Sequence, residues 1–136
     1  MRRLLSLALV FAAIACGSDD STAPTQASVA GTWTLQTVNG SPLPFTLASS
    51  PAKIELLSYV VNVSSHGTLT SSEQLRTTIG TSATTNTTTD GGTYTLSGNA
   101  VAITSNTAGS TPQAGTITGN TLALSQSGFI FIFTKQ

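Results

Sequence analysis

Apolar and polar residues alternate along most of this chain after residue 28, and a period of two predicts strands. Residues 29–38 (VAGTWTLQTV) put Val29, Gly31, Trp33 and Leu35 on one face, with Thr32, Thr34 and Gln36 on the other. Residues 53–64 (KIELLSYVVNVS) carry two sets: Tyr59, Val61 and Val63 share one face, Ile54, Leu56 and Val60 the other. That phase change predicts a bulge or burial on both sides. Residues 68–79 (TLTSSEQLRTTI) keep Leu69, Glu73, Leu75 and Ile79 in phase. Tyr94 and Leu96 mark a strand at 93–97, and Val101 and Ile103 one at 100–104. Two more follow at 115–118 and 121–124, and 129–134 (FIFIFT) ends the chain as its most hydrophobic strand. The segment 80–90 (GTSATTNTTTD) has no large apolar residue and fits either a polar edge strand or a mobile loop.

The connections are short. Asn39-Gly40 and Ser65-His66-Gly67 read as turns, and Gly98-Asn99 and Gly119-Asn120 are two-residue hairpin signals. Residues 45–47 are apolar but brief, and 48–52 and 105–112 read as loops. About eight strands result, with no helical period after the leader. Short turns force neighbours to pair antiparallel. The predicted fold is all-β: an up-and-down antiparallel barrel, with a two-sheet β-sandwich as the alternative. Barrel closure requires 29–38 to pair with 129–134.

Before the domain comes an address. Met1-Arg2-Arg3 is cationic, 4–11 is apolar apart from Ser6, and Ala12-Ala13-Ile14-Ala15 is small-residued. This order is that of a secretory signal peptide, too short to span a bilayer. The only cysteine, Cys16, stands at the cut site. Ala13-Ile14-Ala15-Cys16 resembles the lipobox of bacterial lipoproteins. The resemblance implies cleavage before Cys16, lipidation of its thiol, and membrane attachment through the N-terminal lipid. It further implies an envelope location, with Gly17 favouring the outer membrane. The expected division is 1–15 signal peptide, 16–28 lipidated cysteine and polar tether, and 29–136 barrel domain.

Charge narrows the partners. Only 7% of the 136 residues are charged. Beyond the leader the bases are Lys53, Arg76 and Lys135, and the acids Asp19, Asp20, Glu55, Glu73 and Asp90. With no basic face, nucleic-acid binding has no footing. Without a second thiol or a His/Asp/Glu cluster, no metal site or cofactor is expected.

Gly31-Thr32-Trp33 on the first strand resembles the Gly-x-Trp signature of lipocalins and related calycins. In those barrels the tryptophan plugs one end, and a basic residue after the last strand packs over it; Lys135 stands there. The resemblance implies a barrel-end plug of Gly31, Trp33 and Lys135. It looks closest to the small lipocalin-like domains of bacterial lipoproteins.

No catalytic constellation appears. His66, the only histidine, reads as a solvated turn residue, and no Gly-x-Ser-x-Gly elbow exists. A hydrolase pairing Glu55 with Glu73 is the minor enzymatic alternative. The alternation turns Glu73 inward, where it would need a partner such as Tyr59 or Arg76; taken alone, a register slip that leaves it at the surface is favoured. The candidate ligand-lining set is Tyr59, Glu73 and Tyr94. The expected function is non-catalytic binding of a small apolar or amphipathic ligand in the barrel at the cell envelope. The alternative is a protein-interaction module, an inhibitor or envelope assembly factor, acting through loops 39–52 and 80–92.

Overall fold

The computed structural model describes residues 23–136. The expected signal peptide, Cys16 and the first part of the tether lie outside the described residues. The chain then forms α1 (Gln26–Val29), β1 (Gly31–Val38), β2 (Ser41–Pro42), β3 (Phe45–Ala48), β4 (Lys53–Val63) and β5 (Thr68–Ile79). It continues as β6 (Ser82–Ser97), β7 (Ala100–Ser105), β8 (Gln113–Thr118), β9 (Thr121–Gln126) and β10 (Phe129–Lys135). Strands β4 to β10 pair in chain order, and β1 pairs with both β10 and β4. The result is a closed, antiparallel, up-and-down barrel of eight strands, with β2 and β3 as short additions. Closure excludes the sandwich.

Two features of the pattern reappear as geometry. The β4–β5 register shifts between Leu56 and Ser58. Tyr59, Val61 and Val63 face inward on one side of this bulge, and Leu56 faces inward on the other. The β5–β6 hairpin turns on Gly80-Thr81, with Ile79 opposite Ser82. Gly80 has φ +60°, a conformation glycine adopts without steric cost. Residues 82–92 are therefore strand rather than loop. They belong to the sixteen-residue β6, whose residues 82–93 pair with β5 along the whole length of β5.

The inward faces meet in one core that includes Trp33, Leu35, Val38, Leu56, Val61, Leu122, Leu124 and Phe133, all under 5% exposed. One end of the barrel is closed by α1, which the alternation did not predict. Thr25 and Ser28 cap it reciprocally: the Ser28 N–H donates to the Thr25 hydroxyl (3.1 Å), and the Thr25 N–H to the Ser28 hydroxyl (2.8 Å). Val29 thus belongs to a helical turn rather than to the first strand, and it is buried.

A helical end leaves carbonyls without intrahelical partners. Here Trp33 Nε1 donates to the Val29 carbonyl (2.9 Å), and Lys135 Nζ to that of Ser28 (2.8 Å). Trp33 and Lys135 are directly opposite in the β1–β10 ladder, as closure requires. The lysine ammonium nevertheless goes to the helix rather than over the indole face. Among the described residues no cation stacks on an aromatic ring. Gly31 has φ +136°, and a Cβ there would lie 2.9 Å from Lys135 Cε. The Gly-x-Trp triplet therefore has a local physical cause.

Trp33→Ala is expected to cost about 3–5 kcal/mol, the range for deleting a large buried aromatic. Lys135→Ala should cost about 1 kcal/mol, the worth of one hydrogen bond. Urea unfolding of both variants checks the ranking; equal losses would contradict this account of the plug.

Candidate functional site

The other end of the barrel is open. A line of aromatic rings climbs towards it from the core. Tyr59 meets Phe133 edge-on with centroids 5.3 Å apart, and Phe131 at 6.5 Å. Phe129 continues from Phe131 at 6.2 Å, and Phe45 on β3 meets Phe129 at 5.8 Å. Above Tyr59 and Phe131 the interior is not filled. A cavity of about 760 Å³ opens to solvent, with Ser71, Glu73, Thr88, Asp90, Ser105 and Gln113 among its lining residues.

Register explains the polar wall. On β5 the inward positions are Leu69, Ser71, Glu73 and Leu75, because they stand opposite the inward residues of β4. Glu73 is opposite Tyr59 on one side and Thr88 on the other. Ser71 is opposite Asp90, one inward step away. Glu73 is thus inside, against the favoured surface placement, and the alternation with Leu69 and Leu75 was the correct signal.

Asp90 is held in place. Its Oδ1 accepts from the Gly91 N–H (2.8 Å), and its Oδ2 from the Ser105 hydroxyl (2.5 Å). The Ser105 hydroxyl in turn accepts from the Thr107 N–H (3.0 Å), so Asp90 anchors the start of the loop over the mouth. Glu73 shows no such contacts. Burial lifts its pKa above the usual glutamate range, and no cation offsets that burial. Tyr59 is also pushed up, by burial first, then by the charges of Glu73 and Asp90. It stays a neutral phenol.

The basic residues of the described chain are committed elsewhere. Lys53 and Arg76 both reach Glu55, at 2.8 Å each. Hydrogen bonds from Lys53 and then Arg76 hold the Glu55 pKa below its usual value. This trio sits on the outer face, because Glu55 is opposite Arg76 while its neighbour Leu56 is opposite Leu75 in the core. Glu55 and Glu73 therefore occupy opposite faces of the sheet. The paired-carboxylate arrangement needed for a hydrolase does not form, although the two strands do pair. Lys135 is at the closed end.

Of the expected lining residues, Tyr59 and Glu73 are in the cavity wall. Tyr94 is not. It lies deep in the core at 4% exposure, and its hydroxyl donates to the Ser64 carbonyl (2.6 Å). Alternation put it inside correctly but did not give its height in the barrel. Gly31, Trp33 and Lys135 sit at the closed end, away from the cavity. His66 is exposed in its turn. Asp90 was missed because 80–90 has no apolar phase; counting back from Gly80-Thr81 would have placed it opposite Ser71. Among the described residues no group of three or more His, Cys, Asp and Glu could hold a metal ion. No protein-family model matches this chain, and no curated protein matches it.

The two glutamates should have opposite effects on stability. A carboxyl raised by burial is destabilising once ionised, so stability is lost as pH rises from about 4.5, its ordinary value, through its raised pKa. Glu73→Gln should therefore stabilise the fold at neutral pH, with the gain vanishing below about pH 4.5. Glu55 is lowered, so its contribution is present above about pH 4.5 and lost as pH falls through its folded pKa. Glu55→Gln should destabilise at neutral pH, and the difference should close in acid. Urea midpoints at pH 7 and in acid test both; shifts of the same sign would contradict the two placements.

Proposed function

We propose that this is a non-catalytic, lipid-anchored envelope protein whose barrel mouth binds a small amphipathic ligand. The observation that carries the reading is the cavity itself. Its volume of about 760 Å³ falls in the usual range for small-molecule sites, roughly 300–1,000 Å³. Tyr59 and Phe131 offer apolar surface at its base. Glu73 and Asp90 offer acceptors without a protein cation beside them. A ligand with an apolar body and an amine or other donor-rich end suits that division. The wall is more polar than a purely apolar ligand would need.

Matched fluorescent probes test this: a dansyl-labelled alkylamine and the corresponding alkyl carboxylate. The amine should bind and the carboxylate should not. Glu73→Gln should weaken the amine by roughly tenfold, the worth of one charge-assisted hydrogen bond. If neither probe binds, and native mass spectrometry of protein from its own cells shows no retained molecule, the reading fails.

The anchor is a separate expectation, resting on the Cys16 lipobox resemblance. Cys16→Ser should move the protein from the membrane fraction to the soluble one. Unchanged membrane retention would refute lipid attachment at that residue.

A further inference from the structure

Strand β6 is sixteen residues long, but β7 covers only part of it. The β6–β7 ladder runs from Gly92 opposite Ser105 to Ser97 opposite Ala100. Beyond it, the Asn106 N–H donates to the Gly91 carbonyl (2.7 Å), and the loop then leaves the strand. Residues 82–90 are paired with β5 on one side. Among the described residues no strand lies on their other side.

The direction of the backbone groups follows from the ladder. The Tyr94 N–H donates to the Gly67 carbonyl at the start of β5, whereas the Gly91 carbonyl faces the β7 side. Even-numbered residues of β6 therefore point their N–H and C=O groups at β5. Those of Ala83, Thr85, Thr87 and Thr89 point outward from the free edge.

Free edges are normally blunted by lysine, proline, bulges or shortness. The two terminal strands of the sheet order are blunted in this way: β2 is two residues long and ends at Pro42, and β3 is four residues long and follows Pro44. The β6 edge has none of these devices. Residues 82–89 (SATTNTTT) hold no charge, no proline and no glycine, and each is exposed. Threonine, at five of the eight positions, favours extended backbone.

We propose that this edge pairs antiparallel with the same edge of a second copy of the chain, joining two barrels through β6. Four points favour a second copy over an unrelated strand. An antiparallel pair of identical edges is two-fold symmetric, so one surface satisfies both partners. A register centred on Asn86 places Ala83 opposite Thr89 and Thr85 opposite Thr87, so every outward group is used, in about eight inter-chain hydrogen bonds. That register also sets Asp90 opposite Ser82, so the nearest charges do not confront each other. Recognition of a foreign strand gains its selectivity from pockets for alternate side chains; the edge itself presents only Thr, Ser, Ala and Asn. The contact is narrow, so the pairing is weak and depends on concentration.

A single cysteine at the two-fold axis tests register and partner together. Asn86 meets its own copy in a non-hydrogen-bonded pair, where Cα atoms lie about 4.5 Å apart, within reach of a disulfide. The full chain carrying Cys16→Ser and Asn86→Cys, in detergent, should oxidise to a disulfide dimer. It should do so roughly tenfold faster than the same chain with Thr121→Cys, an exposed control, since pairing raises effective concentration. Adding Thr85→Lys and Thr87→Lys, both at exposed positions, should return the rate to that of the control with circular dichroism unchanged. Oxidation of Asn86→Cys no faster than the control would overturn the proposal and leave the edge to a different protein or to none. So would a fast rate that the lysine pair leaves intact.

Discussion

The barrel depends on β1 having partners on both edges. Gly31 to Thr34 pair with Val63 to Val60 of β4, and Trp33 to Val38 pair with Lys135 to Phe131 of β10. Remove β1, and β4 and β10 each become open edges with unpaired backbone groups. Trp33 stands where the two ladders overlap, opposite Val61 on one side and Lys135 on the other. Its indole fills the closed end, and its N–H supplies a partner for the capping helix. Backbone closure and core filling thus meet at one residue. Lys135 serves the same closure by a different route. Its ammonium ties the last strand to α1, and its stem occupies the space that a side chain at Gly31 would need.

Closing one end tightly allows the other to stay unfilled. The lower interior is packed with aliphatic and aromatic side chains, and Tyr59 and Phe131 mark where packing stops. Above them Glu73 is inside the barrel without a counter-cation, because the bases of the described residues are engaged elsewhere. Lys53 and Arg76 are on the outer face of the adjoining strands and are both committed to Glu55. An inward carboxylate raised by burial is a local cost that the fold does not require. Departures of this kind concentrate at functional sites. Asp90 differs: its hydrogen bonds to Gly91 and Ser105 serve the loop as well as the cavity.

Much of this architecture was legible in the residues because alternation and turn chemistry agree. The bulge in β4 was written in the switch from Tyr59, Val61 and Val63 to Leu56. The hairpins at Gly98-Asn99 and Gly119-Asn120 fixed the pairing of β6 with β7 and of β8 with β9. The illegible parts had no hydrophobic period to read. Residues 82–90 form a strand because β5 offers a complete ladder of partners, and tertiary pairing decides where local pattern is silent. The single turn of α1 is too short for a 3.6-residue period to register; its signal was the Thr25–Ser28 spacing of a capping box. In the sequence Glu55 and Glu73 are candidates for one site because strand pairing brings neighbours together. The bulge between them moved Glu55 to the outer face, and a one-residue shift in register inverts every side chain that follows.

The mouth and the free edge have a common origin in unequal strand lengths. The Gly80-Thr81 turn lies twelve residues from the start of β5, so β6 must run far to regain the closed end. β7 returns for only six residues before its chain breaks away at Asn106. Gly92 sits at this transition, where a Cβ would lie 2.5 Å from the Thr104 carbonyl oxygen. The close β6–β7 approach therefore demands glycine where the barrel ladder begins. Past that point β6 has only β5 beside it. A longer β7 would cover the edge, and its inward side chains would occupy the space above Phe131. The short strand leaves the edge unpaired and the cavity open, with Asp90 at the junction of the two.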